Sequence, residues 1–304
     1  MSFEIKQITV NSTDNIHTLV GKIYIPEGEV KGILQIVHGM TEHIERYDHI
    51  MSAAAENGYV AFGYDHLGHG KTARDDSELG FIAHRNGWKY LIKDVSAFNA
   101  IVRQIYPDKP LYLFGHSMGS FIARLALVAS PEIYKKAIIC GTAGKNPLAP
   151  MGLLLTNTIK LIKGEKHISK TITNMAFGSY NKRFEGTSKY NWLTKDRDII
   201  EKYSADKFCT FSFTVSAMHD LMNLISVCNK SSWFKELKND LPIFLIAGKD
   251  DPVGNYGKGV TEVYNRLKKE TCDVTLKLYE DCRHEILNDT CRQEVISDIL
   301  NFIK

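Results

Sequence analysis

The stretch Leu111-Tyr112-Leu113-Phe114-Gly115-His116-Ser117-Met118-Gly119-Ser120-Phe121-Ile122-Ala123-Arg124-Leu125-Ala126-Leu127 decides how this chain is read. Its first four residues are a short apolar run of strand type and its last seven begin a helix. Between them, Gly115 to Gly119 fit the pattern G-x-S-x-G. Composition alone yields about 0.1 such matches in a chain of this length, so the placement between strand and helix carries more weight than the string. The turn crowds the serine backbone against its neighbours, and a Cβ at either flanking glycine would clash. The helix start then aims amide donors and the positive end of its dipole at Ser117.

A serine hydroxyl is a poor nucleophile until a base takes its proton, and the base needs a third group to hold its tautomer. Where such a turn follows a strand of an α/β sheet, the chain order is Ser, then acid, then His. Of the eleven histidines, His284 alone follows His219, and it lies in Glu280-Asp281-Cys282-Arg283-His284, just beyond the last strand-like run. For the acid, Ile243 to Ala247 runs as a strand into Gly248-Lys249-Asp250-Asp251-Pro252. Spacing alone admits either aspartate at that carboxyl end, where ligands of open α/β sheets bind. Pro252 restricts its predecessor to extended backbone and favours Asp251, with Asp250 a solvated turn residue. Oxyanion donors are expected from the backbone N–H groups of Met118 and of Met40 in Val37-His38-Gly39-Met40, with His38 pinning that loop.

Working outward, further strand-like runs occur at Gly32 to His38, Val60 to Tyr64, Ala137 to Cys140 and Val274 to Tyr279, with helical patterns between. They lack polar alternation, which suits a parallel sheet covered on both faces. Phe3 to Val10 and Thr18 to Tyr24 read as an antiparallel hairpin on one edge. The expected class is α/β, a mostly parallel sheet with helices on both faces. About a hundred residues separate the runs near Cys140 and Leu241, far more than a crossover needs, so a helical cap is expected at 145–235 on a core of 1–144 and 236–304. Inside it Met151, Leu154, Leu155, Ile159 and Ile162 fall at helical spacing, widened by Leu153 and Leu161. Such a face ordinarily packs on its neighbours; the other reading is a lid that makes transient membrane or micelle contact.

The chain has 304 residues, 44% hydrophobic and 24% charged, the composition of a globular protein. A formal charge of +3, with scattered lysines and arginines, gives no footprint for nucleic acid. No basic leader with an apolar core opens the sequence, and a cytoplasmic location is expected. The six cysteines (Cys140, Cys209, Cys228, Cys272, Cys282, Cys291) include no C-x-x-C pair and are expected to be reduced. No close Cys/His pairing of the zinc-site type appears, and no metal or cofactor is expected.

With these residues in hand, the chain resembles the serine hydrolases grouped with monoacylglycerol lipases, lysophospholipases and the so-called serine aminopeptidases of the α/β-hydrolase fold. The resemblance rests on His38-Gly39-Met40-Thr41-Glu42-His43 with Arg46-Tyr47, on Asp65-His66-Leu67-Gly68-His69-Gly70, on the Gly-His-Ser-Met-Gly turn, on Gly248 to Pro252 and on His284. It spans most of the core and implies the same nucleophile, acid and base, Ser117, Asp251 and His284. The same oxyanion amides, Met40 and Met118, are implied, with the Asp65 to Gly70 turn as scaffold. It further implies hydrolysis of a small acyl ester such as a monoacylglycerol, a lysophospholipid or a short-to-medium acyl ester. The cap does not match, so substrate residues do not transfer. Phe177, Tyr180, Phe184, Trp192, Phe208, Phe211, Phe213, Met218 and Met222 divide between cap core and pocket lining, with most expected in the core. Two rival readings remain. A peptidase would need amine-binding carboxylates such as Glu185, Asp196, Asp198 or Asp206. A binding protein on the same scaffold would have no need of all three groups in order.

Overall fold

Strands rich in β-branched and aromatic residues build the centre of the molecule. They are β1 (Phe3–Asn11), β2 (Thr18–Pro26), β3 (Gly32–Val37), β4 (Tyr59–Tyr64), β5 (Leu111–His116), β6 (Tyr134–Cys140), β7 (Ile243–Gly248) and β8 (Val274–Tyr279). The computed structural model describes residues 2–237, 240–270 and 272–304. Among these, the eight strands form one sheet in the order β1-β2-β4-β3-β5-β6-β7-β8. The pairings of β1 with β2 and of β2 with β4 are antiparallel, and the rest are parallel.

Every residue of β3, β4, β5 and β7 is buried, as a sheet covered on both faces requires. Alternate side chains divide between two cores. Ile33, Val60, Phe62, Leu111 and Leu113 face helices α2 (Gly87–Ile105), α3 (Met118–Ala129) and α9 (Lys258–Lys269). Leu34, Ile36, Ala61, Tyr112 and Phe114 face α1 (Asp48–Glu56) and α10 (Arg292–Ile303). This is the α/β-hydrolase arrangement, and each strand run expected from the sequence corresponds to one of its strands, with His38 just beyond the end of β3.

Between β6 and β7 the chain leaves the sheet through α4 (Ala149–Lys163), α5 (Lys170–Phe177), α6 (Arg197–Ala205), α7 (Val215–Cys228) and α8 (Ser231–Glu236). The segment is not detached from the core. Asp220 on α7 is buried against the start of α2, where the backbone N–H groups of Trp88 and Gly87 favour its carboxylate form; the α2 N-cap, Asn86, makes no side-chain cap. Burial pushes the Asp220 carboxyl up to about 7 against the opposing pull of those N–H groups.

The apolar stripe on α4 is divided. Leu155 and Ile159 pack inward, and Thr156 bonds His219. Met151, Leu154, Leu161 and Ile162 point to solvent, exposed by 52, 70, 84 and 75%. The helix carries more apolar residues than one packed face accommodates, so the spacing that suggests a single buried stripe describes two. Among the described residues no helix is long and apolar enough to cross a membrane.

Candidate active site

The site forms where the carboxyl ends of β3, β5, β7 and β8 meet beneath the cap. Ser117 joins β5 to α3 with φ 52° and ψ −119°, a conformation that an L-residue holds only under constraint. The neighbouring glycines permit it. A Cβ on Gly115 would sit 2.5 Å from the Gly119 carbonyl oxygen, and one on Gly119 only 2.1 Å from that of Val37. The loop after β3 therefore rides directly over the start of α3, and a Cβ on Gly39 would come within 3.1 Å of the Ser117 Cβ. Met40 and Met118 both line the cavity beside Ser117, and among the described residues their backbone N–H groups have no hydrogen-bond partner.

Asp251 is fully buried after β7, where its Oδ1 accepts the Val253 N–H at 2.8 Å. That same oxygen lies 3.0 Å from His284 Nδ1, the separation of an ion pair, although the ring N–H is not aimed along the line a hydrogen bond prefers. Asp250 is only half-buried, and its N–H bonds the Cys282 carbonyl at 3.0 Å. The His284 loop is fitted tightly against β7, because a Cβ on Gly248 would meet the carbonyl oxygens of Arg283 and Cys282 at 2.0 and 2.2 Å. From above, the Trp192 ring covers His284 at 5.1 Å between centroids, and the Glu285 N–H bonds the Leu193 carbonyl at 2.8 Å. Ser117 and His284 line one cavity, but among the described residues no hydrogen bond joins the Ser117 hydroxyl to the imidazole. Such contacts commonly tighten only when substrate arrives.

A charged network under the site escaped sequence reasoning. Glu42 accepts from the Gly39 N–H, the Tyr47 hydroxyl and Arg46, and lies 3.1 Å from His116 Nδ1. Arg46 grips Glu285 with both terminal nitrogens, the planar fork that matches a carboxylate. His116 Nε2 reaches the His284 carbonyl at 3.3 Å. One carboxylate thus links the loop after β3, the serine turn and the histidine loop. Burial opposes charge on both His116 and Glu42, but each favours the other's ion. The His116 pKa is held above its ordinary value by Glu42, and the Glu42 pKa well below its own by His116 and Arg46. The motif residues Glu42, Arg46 and Tyr47 were visible in the sequence. Glu285 offered only its position next to His284.

Three neutral imidazoles hold the other side of the β3 loop. His38 Nδ1 lies 2.8 Å from the Gly39 carbonyl, and its Nε2 accepts the His66 N–H at 3.0 Å. His69 bonds the Leu67 carbonyl through Nδ1, which leaves Nε2 as the acceptor of the Thr41 N–H at 3.4 Å. Thr41 sits at φ 50°, so this contact secures a left-handed turn just after Met40. Burial pushes His66 down to about 3 and His69 down to about 4.

The cavity above Ser117 has a volume of about 670 Å³. Phe177, Tyr180, Trp192, Phe211 and Phe213 line it, whereas Phe184, Phe208, Met218 and Met222 do not. More of the cap aromatics face the pocket than expected, because the cap must supply the roof that the sheet cannot. Glu185, Asp196, Asp198 and Asp206 all lie away from its walls; Asp196 instead caps α6.

The expectation of six reduced thiols needs correction. Cys282 and Cys291 form a disulfide with a Cα–Cα distance of 6.6 Å, because the loop after β8 folds back through a single 3-10 turn at Ile286–Asn288. A spacing of nine residues does not announce that fold. Cys140, Cys209, Cys228 and Cys272 form no disulfide.

Comparison with known proteins agrees with this architecture. Residues 28–291 match the family described as serine aminopeptidase, S33. Monoglyceride lipase of Mus musculus is 23% identical over 277 residues, 91% of this chain and 82% of that protein. Monoacylglycerol lipase of Mycolicibacterium smegmatis is 22% identical over 97% of this chain and 98% of its own length. Among solved structures, a highly thermostable carboxyl esterase from Bacillus coagulans in complex with glycerol superposes with a TM-score of 0.93 at 31% identity, covering 99% of this chain and 98% of that one.

The neutral histidines give the site a pH signature. The folded protein keeps His69 uncharged down to about 4, whereas in the unfolded chain it takes up a proton near 6.5, so acidification through that window favours unfolding. His69→Gln, which retains an acceptor for Thr41, removes that proton. Urea unfolding of the variant from pH 4 to 6.5 is expected to show a stability profile flatter than wild type by up to about 1.4 kcal/mol per pH unit.

Proposed function

The chain belongs to the serine aminopeptidase S33 family, and from that premise we propose that it hydrolyses carboxylic esters through an acyl-enzyme on Ser117. One observation carries the reading. The serine in the strained turn faces a cavity beside two unpartnered backbone N–H groups, those of Met40 and Met118, with His284 at the same cavity wall and Asp251 buried behind it. A binding protein would not need free donors arranged around a strained hydroxyl.

In this reading the Ser117 Oγ attacks the ester carbonyl while its proton passes to His284 Nε2. Asp251 beside Nδ1 steadies the imidazolium, and the Met40 and Met118 N–H groups hold the oxyanion. The carbonyl re-forms, the C–O bond to the alcohol breaks, and His284 returns its proton to the leaving alkoxide. Water, deprotonated by His284, then attacks the acyl-enzyme and releases the acid and the free serine. No step requires a metal or cofactor.

For substrate we propose monoacylglycerols, lysophospholipids or short-to-medium acyl esters, with residues 145–235 acting as a cap on a core of 1–144 and 236–304. The aromatic roof and the volume of about 670 Å³ suit one acyl chain. The relatives named as monoglyceride or monoacylglycerol lipases, and the structural neighbour named as a carboxyl esterase, support the same class. The peptidase alternative lacks an amine anchor. Of the cavity carboxylates, Glu42 and Glu285 are committed to Arg46, and Glu262 holds the Lys145 N–H. The solvent-facing Met151, Leu154, Leu161 and Ile162 on α4 make the cap a candidate surface for transient contact with micelles or membranes.

The reading is tested with p-nitrophenyl esters of increasing chain length, alongside a monoacylglycerol and an aminoacyl amide. Turnover of the esters and the monoacylglycerol is expected, with kcat/KM rising by up to about fourfold per methylene until the cavity is filled. Ser117→Ala should abolish it; preference for the amide would promote the peptidase reading, and turnover surviving in the variant would refute this one. Leu154→Glu is expected to slow hydrolysis of micellar esters while sparing soluble ones, and equal losses on both would rule out a contact role for α4.

A further inference from the structure

Beside the cavity, but outside the machinery just described, His43, Asp206 and Cys209 each offer one ligand atom, a ring nitrogen, a carboxylate oxygen and the Sγ, and these lie within 4.8 Å of one another. We propose that these three side chains form a binding site for a zinc-like divalent cation, which fastens the segment after the β3 loop to the cap. Imidazole, carboxylate and thiolate together are a donor set that zinc accepts, and three protein ligands leave a fourth position for water.

The ligands are already presented to one another. Asp206 Oδ2 is 2.8 Å from His43 Nε2, so a cation would take the place of the proton between them. Asp206 Oδ1 accepts the Phe208 N–H at 2.8 Å, and the Cys209 N–H bonds the Asp206 carbonyl at 3.0 Å, a turn that brings the two cap ligands together. On the other side His43 is flanked by Glu42, fixed to Arg46, and by Ile44, whose N–H bonds Asp65 Oδ1 at 2.8 Å. The surrounding charge suits a dication: the carboxylates of Asp206, Glu42 and Glu285 act at Cys209 against the single guanidinium of Arg46. Coordination releases the thiol proton of Cys209 to solvent and forms the metal–sulfur bond without any redox step. Sequence reading missed the site because its ligands sit at 43, 206 and 209, with no close pair of the zinc-finger kind.

Occupancy would tie the segment that leads out of the Met40 turn to the chain between α6 and α7, and Cys209 itself lines the cavity. The inference concerns metal binding and stands apart from the identity of the substrate. Its test uses the full chain and Co2+ as a spectroscopic probe, followed by Zn2+. Wild type is expected to bind one equivalent of Co2+ with a thiolate-to-metal charge-transfer band and tetrahedral d–d absorption, both discharged by one equivalent of Zn2+. Cys209→Ser should lose the charge-transfer band and bind Zn2+ about 100-fold or more weakly. Asp206→Asn, at a partly exposed position, should keep the band but weaken binding, and it serves as the second variant if Cys209→Ser does not fold. Zn2+ should raise the Tm of wild type and raise that of either variant less at the same concentration. A wild type with no charge-transfer band, or a band of equal strength in Cys209→Ser, would overturn the proposal and leave His43 and Asp206 as a simple hydrogen-bonded pair.

Discussion

Ser117 sits at φ 52° and ψ −119° because three backbones converge on it, and much of the site follows from that constraint. Such a conformation costs on the order of 1–3 kcal/mol and survives only where the surroundings over-determine it. Here the β5 strand, the first turn of α3 and the loop after β3 pass so close that neither Gly115 nor Gly119 has room for a Cβ. The closeness that strains the serine also carries the Met40 and Met118 amides to its side. A turn relaxed enough to accept ordinary residues would withdraw the hydroxyl and part the two donors.

Holding three loops at one point takes more than packing. Glu42 bonds the β3 loop at the Gly39 N–H, faces the serine turn at His116, and through Arg46 reaches Glu285 beside His284. Buried charges of this kind are expensive when unpaired, but here each has a partner of opposite sign and additional donors. The histidine cage of His38, His66 and His69 works in the opposite way, staying neutral so that the His38 and His69 rings each donate and accept while His66 Nε2 bonds the His38 carbonyl. A charged network on one side and an uncharged one on the other fix the loop that bears Met40, one of the two proposed oxyanion donors.

The sheet was legible in the sequence because parallel strands buried on both faces leave unbroken apolar runs, and the serine turn because its glycines are sterically required. That Asp251 and His284 would lie together was anticipated from their chain order and from Pro252, and they are 3.0 Å apart. The supporting network was not legible: Glu42 meets His116 across 74 residues, and Arg46 meets Glu285 across 239, distances that no local pattern spans. The Cys282–Cys291 pair and the His43, Asp206 and Cys209 cluster were hidden for the same reason. The helix α4 shows a different limit. Helical periodicity reports that residues share a face, but it does not tell a packed face from one turned to solvent, and Leu154 and Leu155 are neighbours that point opposite ways.

The central claim is that Ser117 is activated where it stands, by His284, and forms a covalent acyl intermediate. The most direct measurement is intact-protein and peptide mass spectrometry after treatment with a phosphonate ester that traps active serines. The account predicts a single adduct on the peptide containing Ser117, absent from Ser117→Ala and formed at least about 1000-fold more slowly in His284→Asn. An adduct on another residue, or labelling of Ser117 that proceeds unchanged without His284, would contradict it.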